Sequence, residues 1–136
     1  MTDDNPLTDV QFADLLRFRD ALRRFQRWSE DQARTAGLTP AQHQLLLAIR
    51  GHVGDPTIGD VAAHLLLRHH SAVELVDRAE HAGLVRRRAD GEDHRVIRLV
   101  LSRKGDQRLA SLTALHLAEL HRLQDGLKLP IFAPTP

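Results

Sequence analysis

The stretch Thr57–Leu101 reads TIGDVAAHLLLRHHSAVELVDRAEHAGLVRRRADGEDHRVIRLVL, and its reading decides the fold. Ile58, Val61, Ala62 and Leu65 recur at helical spacing, with Thr57 placed to cap them. Ala72, Leu75, Val76 and Ala79 recur in the same way after a very short gap. Gly83 stands where a helix stops, because glycine tolerates the left-handed backbone used there. Leu84, Val85 and three arginines lead into Asp90-Gly91, a turn dipeptide, and Val96–Leu101 is too short and too β-branched for a helix. Helix, tight turn, helix and hairpin make a winged helix-turn-helix.

In such a unit the second helix, here around residues 69–82, is the reader of DNA, and its first residues reach base edges. If Ala72, Leu75, Val76 and Ala79 face the core, then His69, His70, Ser71, Val73, Glu74 and Asp77 face outward. Imidazole and hydroxyl groups hydrogen-bond bases or phosphates, and a glutamate accepts from a cytosine amino group. A competing reading makes Ser71 and Glu74 a capping box, which starts the helix later and leaves a solvated polar face. Charge favours DNA. Leu84–Lys104 holds seven Arg or Lys against three Asp or Glu, whereas the whole chain carries only +1. Cationic charge gathered beside a reading helix is the footprint of phosphate binding.

The run AAHLLLRHHSAVELVDRAEHAGLVRR, then DGEDHR, then LSRKG, resembles the multiple-antibiotic-resistance regulator (MarR) family. Leu75-Val76-Asp77-Arg78 with Gly83-Leu84-Val85, and Asp93-His94-Arg95 in the wing, carry most of the likeness, which extends over almost the whole chain. It implies a homodimeric bacterial transcription regulator on a pseudopalindromic operator, with Arg95 entering the minor groove and Asp93 bracing the wing around 86–98. Two positions depart from the commonest pattern of that family: Leu66 stands where glycine is frequent, and Glu74 where a basic or small polar residue is frequent. The candidate DNA contacts are therefore Thr57, Arg68, His69, His70, Ser71 and Glu74 on the helices, and Asp93, His94 and Arg95 on the wing.

Outside this lobe, placed at 39–101, two long helices are expected at 8–36 and 103–128. A length of 136 residues suits one domain with a sizeable core. Residues 1–7 are polar, contain Pro6 and read as a loose tail. Thr8 and Gln11 form a capping box that opens a helix ending at Gly37; at about 27 residues it is ~40 Å long, more than a domain of this size needs for itself. Leu15, Phe18, Leu22 and Phe25 keep heptad spacing along it. Thr39-Pro40-Ala41-Gln42 starts another helix, with Leu45, Leu46 and Ile49 on its apolar side. The last helix carries Leu109, Leu112, Leu115, Leu117, Leu120, Leu123 and Leu127 and is apolar nearly all round, which argues for an intersubunit bundle. Pro130, Pro134 and Pro136 prevent any substantial further helix.

Other chemistries are poorly served. There is no cysteine, so disulfides, thiolate zinc sites and thiol redox sensing are excluded. Nine histidines raise a metal-responsive alternative, but His116 and His121 lie five apart, about 140° around a helix, and His69 and His70 diverge. No phosphate-binding glycine loop, nucleophile elbow or H-E-x-x-H motif marks an enzyme, and nothing calls for a cofactor. Asp3 and Asp4 stand where a signal peptide has basic residues and no apolar run approaches a membrane span, so the cytoplasm is expected. The remaining alternative is a winged helix used only for protein contacts. The resemblance also implies a small aromatic or phenolic anion as inducer, in a crevice between the dimer helices and the lobe. Phe25, Trp28 and His43 are the local residues for it, or else they fill the core where two helices cross.

Overall fold

The computed structural model describes residues 6–127. In chain order these form α1 (Asp9–Thr35), α2 (Pro40–Gly51), α3 (Ile58–Leu65), α4 (His69–His81), β1 (Val85–Ala89), β2 (Ile97–Leu101) and α5 (Arg103–Gly126). The helical winged helix-turn-helix with long first and last helices is as expected. Residues 1–5, Lys128 and the three C-terminal prolines lie outside the described residues.

Local chemistry sets the boundaries. Thr8, Thr39 and Thr57 each close a capping box, with Gln11, Gln42 and Asp60 returning the bond. Gly37 and Gly83 follow α1 and α4 at positive φ. α4 begins at His69 behind Arg68, which makes no side-chain cap, so the Ser71–Glu74 box does not form. The helix-turn-helix corner turns at Leu66, the one non-glycine residue at positive φ among the described residues (φ 56°, ψ 41°). Its side chain is 92% exposed, so packing does not compensate the strain.

The core is one cluster to which every element contributes, with Ala33, Leu45, Leu46, Val61, Val76, Ala79, Val85, Leu99 and Leu112 essentially excluded from solvent. β1 and β2 pair antiparallel, Val85 against Leu101 through Ala89 against Ile97. The Asp90-Gly91 pair does not close a two-residue hairpin. The connection runs from Asp90 to Val96, closed by Asp90 N–H donating to Val96 O at 2.8 Å. Inside it the Asp90 carboxylate accepts from the N–H groups of Glu92 (3.1 Å) and Asp93 (3.0 Å), an Asx-type turn that outcompetes the tighter one. On its other edge β2 donates Leu99 N–H to Pro56 O at 2.8 Å, which ties the wing to the loop before α3.

α5 docks on the lobe through its first turn. Ser102 N–H donates to Leu84 O (3.0 Å), Ser102 Oγ to Gly83 O (2.5 Å) and Lys104 Nζ to Ala82 O (2.9 Å), so the last carbonyls after α4 are satisfied from α5. Gly105 is buried against Leu84, and a Cβ there would overlap the Leu84 carbonyl oxygen and lie 3.1 Å from its carbon. Further along, Arg108 Nη1 donates to Ala36 O at 2.6 Å, bridging α5 to the corner between α1 and α2.

Candidate nucleic-acid interface

The first turn of α4 presents Arg68, His69 and His70 to solvent, with Ser71 half-buried and Glu74 exposed one turn on. None of these five side chains is engaged in a hydrogen bond or ion pair with the described residues, so their donors and acceptors are available to a ligand. Thr57 differs: its hydroxyl oxygen accepts from Asp60 N–H at 3.2 Å as the cap of α3, leaving only its O–H to donate outward. The bonds from Thr57 hold the Asp60 carboxyl below the usual carboxylate range. Val73 is half-buried rather than outward-facing, and Asp77 is exposed but already taken, as described next.

The wing does not offer its full cationic charge. Arg87 Nη2 donates to Asp77 at 2.6 Å and Nη1 to Glu80 at 2.8 Å, both on α4. Chiefly through the Asp77 bond, its guanidinium is held still more firmly protonated. Arg88 pairs with Asp55. Arg98 donates from Nε to Asp90 at 3.1 Å and from Nη1 to Asp55 O at 3.2 Å. The expectation of a freely basic hairpin is corrected accordingly: of Arg86, Arg87, Arg88, Arg95 and Arg98, only Arg86 lacks an internal carboxylate among the described residues. Alternation explains the division. Arg87 shares a strand face with buried Val85 and turns toward α4, whereas Arg86 projects from the other face.

At the wing tip Arg95 is 91% exposed. Its Nε and Nη2 donate to the two Asp93 oxygens at 3.0 and 3.2 Å, and its backbone N–H donates to the same carboxylate at 3.1 Å. The Arg95 side-chain bond, then the backbone bond, hold the Asp93 carboxyl below its ordinary range. His94 is exposed beside it. Asp93 thus orients a long cation that would otherwise sample many rotamers, which lowers the entropy cost of any contact it makes.

Phe25, Trp28 and His43 do come together, around a residue not anticipated for this role. The His116 ring lies 5.8 Å from Phe25, 4.9 Å from Trp28 and 4.8 Å from His43, centroid to centroid. Its Nδ1 is 2.7 Å from Leu112 O and its Nε2 2.6 Å from Ser29 Oγ, which places the proton on Nδ1 and lets Ser29 donate to Nε2. His43 is buried, and burial, then His116, push its imidazole below the ordinary value. An open groove of about 390 Å³ between α1 and α5 is lined by Phe25 with Phe18, Leu22, Leu120, Leu123 and Leu127; Trp28 and His43 do not line it. Among the described residues no three His, Asp or Glu converge as metal ligands, although His52 Nδ1 meets His64 Nε2 at 2.9 Å. No helix among them is long and apolar enough to cross a membrane.

A family model, described as MarR family, matches residues 36–96, the segment from the corner before α2 to the wing tip. The winged-helix lobe of this chain is therefore similar to the lobe that defines the MarR family. Solved MarR-family structures share the fold. A MarR family protein from Bacillus stearothermophilus superposes with a TM-score of 0.74 at 23% identity, over 94% of this chain and 86% of that one. AbsC, a MarR family transcriptional regulator from Streptomyces coelicolor, gives 0.70 at 22% identity over 96% and 86%. A point mutant of Staphylococcus aureus MepR, solved bound to an oligodeoxyribonucleotide, gives 0.68 at 19% identity over 88% and 84%. No curated protein matches the sequence.

Proposed function

We propose that this protein is a homodimeric, sequence-specific DNA-binding transcription regulator of the MarR type, acting in the cytoplasm as a ligand-responsive repressor. The observation that carries the reading is the pairing of an unengaged, hydrogen-bonding start to α4 (Arg68, His69, His70) with a solvent-directed, pre-oriented Arg95 on the wing of the same lobe. The helix start would read the major groove and Arg95 the adjacent minor groove, with Thr57, Ser71, Glu74 and His94 as flanking contacts. That a MepR variant was solved on an oligodeoxyribonucleotide supports the same use of the fold.

Dimerisation is supported by apolar side chains that the single chain leaves in water. Val10, Phe12, Leu15 and Leu16 on α1 and Leu117 on α5 are more than half exposed, and Leu115 and Leu120 nearly so. A run of this extent marks an interaction surface. A second copy would cover it and set the two reading helices one DNA turn apart, ~34–36 Å. For the inducer, Phe25, Trp28, His43 and His116 form an aromatic and imidazole cluster, and Phe25 joins it to the open groove between α1 and α5, where a flat phenolic anion would enter.

Mobility shift on the DNA upstream of the coding sequence, with sedimentation in parallel, tests the reading. Binding by a dimer that falls steeply with salt is expected, because phosphate contacts release counterions. A folded monomer at micromolar concentration, or no preference for that DNA over random duplex, overturns it. Aromatic acids that quench Trp28 fluorescence and release the DNA would establish the inducer site; acids that do neither leave those rings as core.

A further inference from the structure

Arg87 is not among the residues that face DNA, yet it makes the most direct connection between the two parts that do. Asp77 and Glu80 lie one turn apart on α4, and Arg87 spans them with separate nitrogens at 2.6 and 2.8 Å. It sits in the middle of β1 opposite core residue Leu99, so its backbone is fixed by the hairpin and its guanidinium by the reading helix. The side chain is only 27% exposed, against 61% for neighbouring Arg88. On the far side, Asp55 holds the same hairpin through Arg88 and Arg98. The wing root is thus braced from both sides, while its tip, seven residues from Asp90 to Val96, is held mainly by its own Asp90 and Asp93 turns.

We propose that Arg87 is a positioning residue for DNA recognition. By holding Asp77 and Glu80 together it fixes the angle between α4 and the wing, so that His69 and His70 at one end and Arg95 at the other engage adjacent grooves in a single binding event. A lysine cannot replace it, because one ammonium is a point charge and lacks the planar fork that reaches two carboxylates in fixed directions. A rival role is simple masking, in which Arg87 only cancels two carboxylates that would repel phosphate.

The proposal rests on the DNA-binding reading, and the experiment separates the two. Wild type, Arg87→Gln, Arg87→Lys and the triple variant Arg87→Gln, Asp77→Asn, Glu80→Gln are titrated against a labelled duplex from upstream of the coding sequence, with hydroxyl-radical footprinting and a thermal melt for each. If wild type does not bind the duplex, the DNA-binding reading itself fails and the proposal with it. With wild type binding, Arg87→Gln is expected to weaken affinity roughly tenfold, the size of one coupled charged contact. It should lose protection in the minor groove under the wing while keeping protection under α4. Arg87→Lys should show the same split footprint with a smaller loss, and it carries the test if Arg87→Gln does not fold. The triple variant, which has no carboxylates left to mask, should remain weak. Recovery of wild-type affinity by the triple variant establishes masking and overturns positioning. So does Arg87→Gln binding within twofold of wild type with an unchanged footprint.

Discussion

Replacing Gly105 with alanine puts one methyl group where α5 meets the lobe. The new Cβ would overlap the Leu84 carbonyl oxygen and sit 3.1 Å from its carbon, and both belong to backbone that cannot rotate away. Carbon atoms are in contact at about 3.5–4.0 Å, so the first turn of α5 must retreat from Leu84. That retreat stretches Ser102 N–H to Leu84 O and Ser102 Oγ to Gly83 O, two bonds contributing about 1 kcal/mol each. Overpacking at the buried contact adds about 1–3 kcal/mol. The better helix propensity of alanine returns at most about 1 kcal/mol. The expected loss is therefore about 2–4 kcal/mol, or roughly 10 °C in Tm for a chain of this size. Urea unfolding followed by circular dichroism, at one fixed protein concentration because any dimer links stability to concentration, measures it. Gly126→Ala is the control, since a Cβ there meets nothing within 4 Å. If the two variants unfold at the same urea concentration, the close approach at Leu84 is not what seats α5.

Leu66→Gly should raise stability by up to about 1 kcal/mol: relief of the left-handed backbone, about 1–2 kcal/mol, exceeds the extra unfolded-chain entropy of glycine, and the exposed side chain has little burial to lose. Leu66→Ala keeps the strain and should stay near wild type, so equal gains for both would point to the lost apolar surface instead. Arg95→Ala should weaken DNA binding by roughly 1–3 kcal/mol with an unchanged melt, and unaltered affinity would remove the wing tip from the interface. Because the buried His43 imidazole is held below its ordinary value, the unfolded chain takes up a proton first as pH falls. Its contribution is thus fully present above about pH 6.5 and is lost below it. His43→Gln should flatten the fall in unfolding free energy measured between pH 7.5 and 5, and an equally steep fall in that variant would assign the acid sensitivity elsewhere.

What could be read without coordinates was what is local in the chain. Capping boxes span four residues, apolar repeats one or two turns, and glycine stops a single position, so most helix boundaries are visible within a short window, the uncapped start of α4 and the Leu66 end of α3 excepted. The helix-turn-helix and its wing followed from these, as did the outward-facing start of α4. The pairs that were missed join residues from different elements. Arg87 reaches α4 only because strand alternation puts it on the face of Val85, a fact that depends on the register with β2. His116 meets His43 across 73 positions of sequence, and Asp55 meets Arg88 across 33. Composition placed cationic charge in the hairpin correctly but could not show that neighbouring carboxylates already hold most of it. The turn at Asp90-Gly91 was legible, but its length was not, because the Asp90 side chain captures two backbone N–H groups and that competition is decided by geometry.

The chain enters the lobe at the corner after α1 and leaves it at Ser102, so a swing of the lobe against α1 and α5 has two pivots. Arg108 joins them, because it grows from α5 six residues beyond the second pivot and grips Ala36 O within the first. The two pivots are therefore coupled like hinge pins on one rod. Rotation at the α1–α2 corner must drag the root of α5 with it or break a 2.6 Å bond.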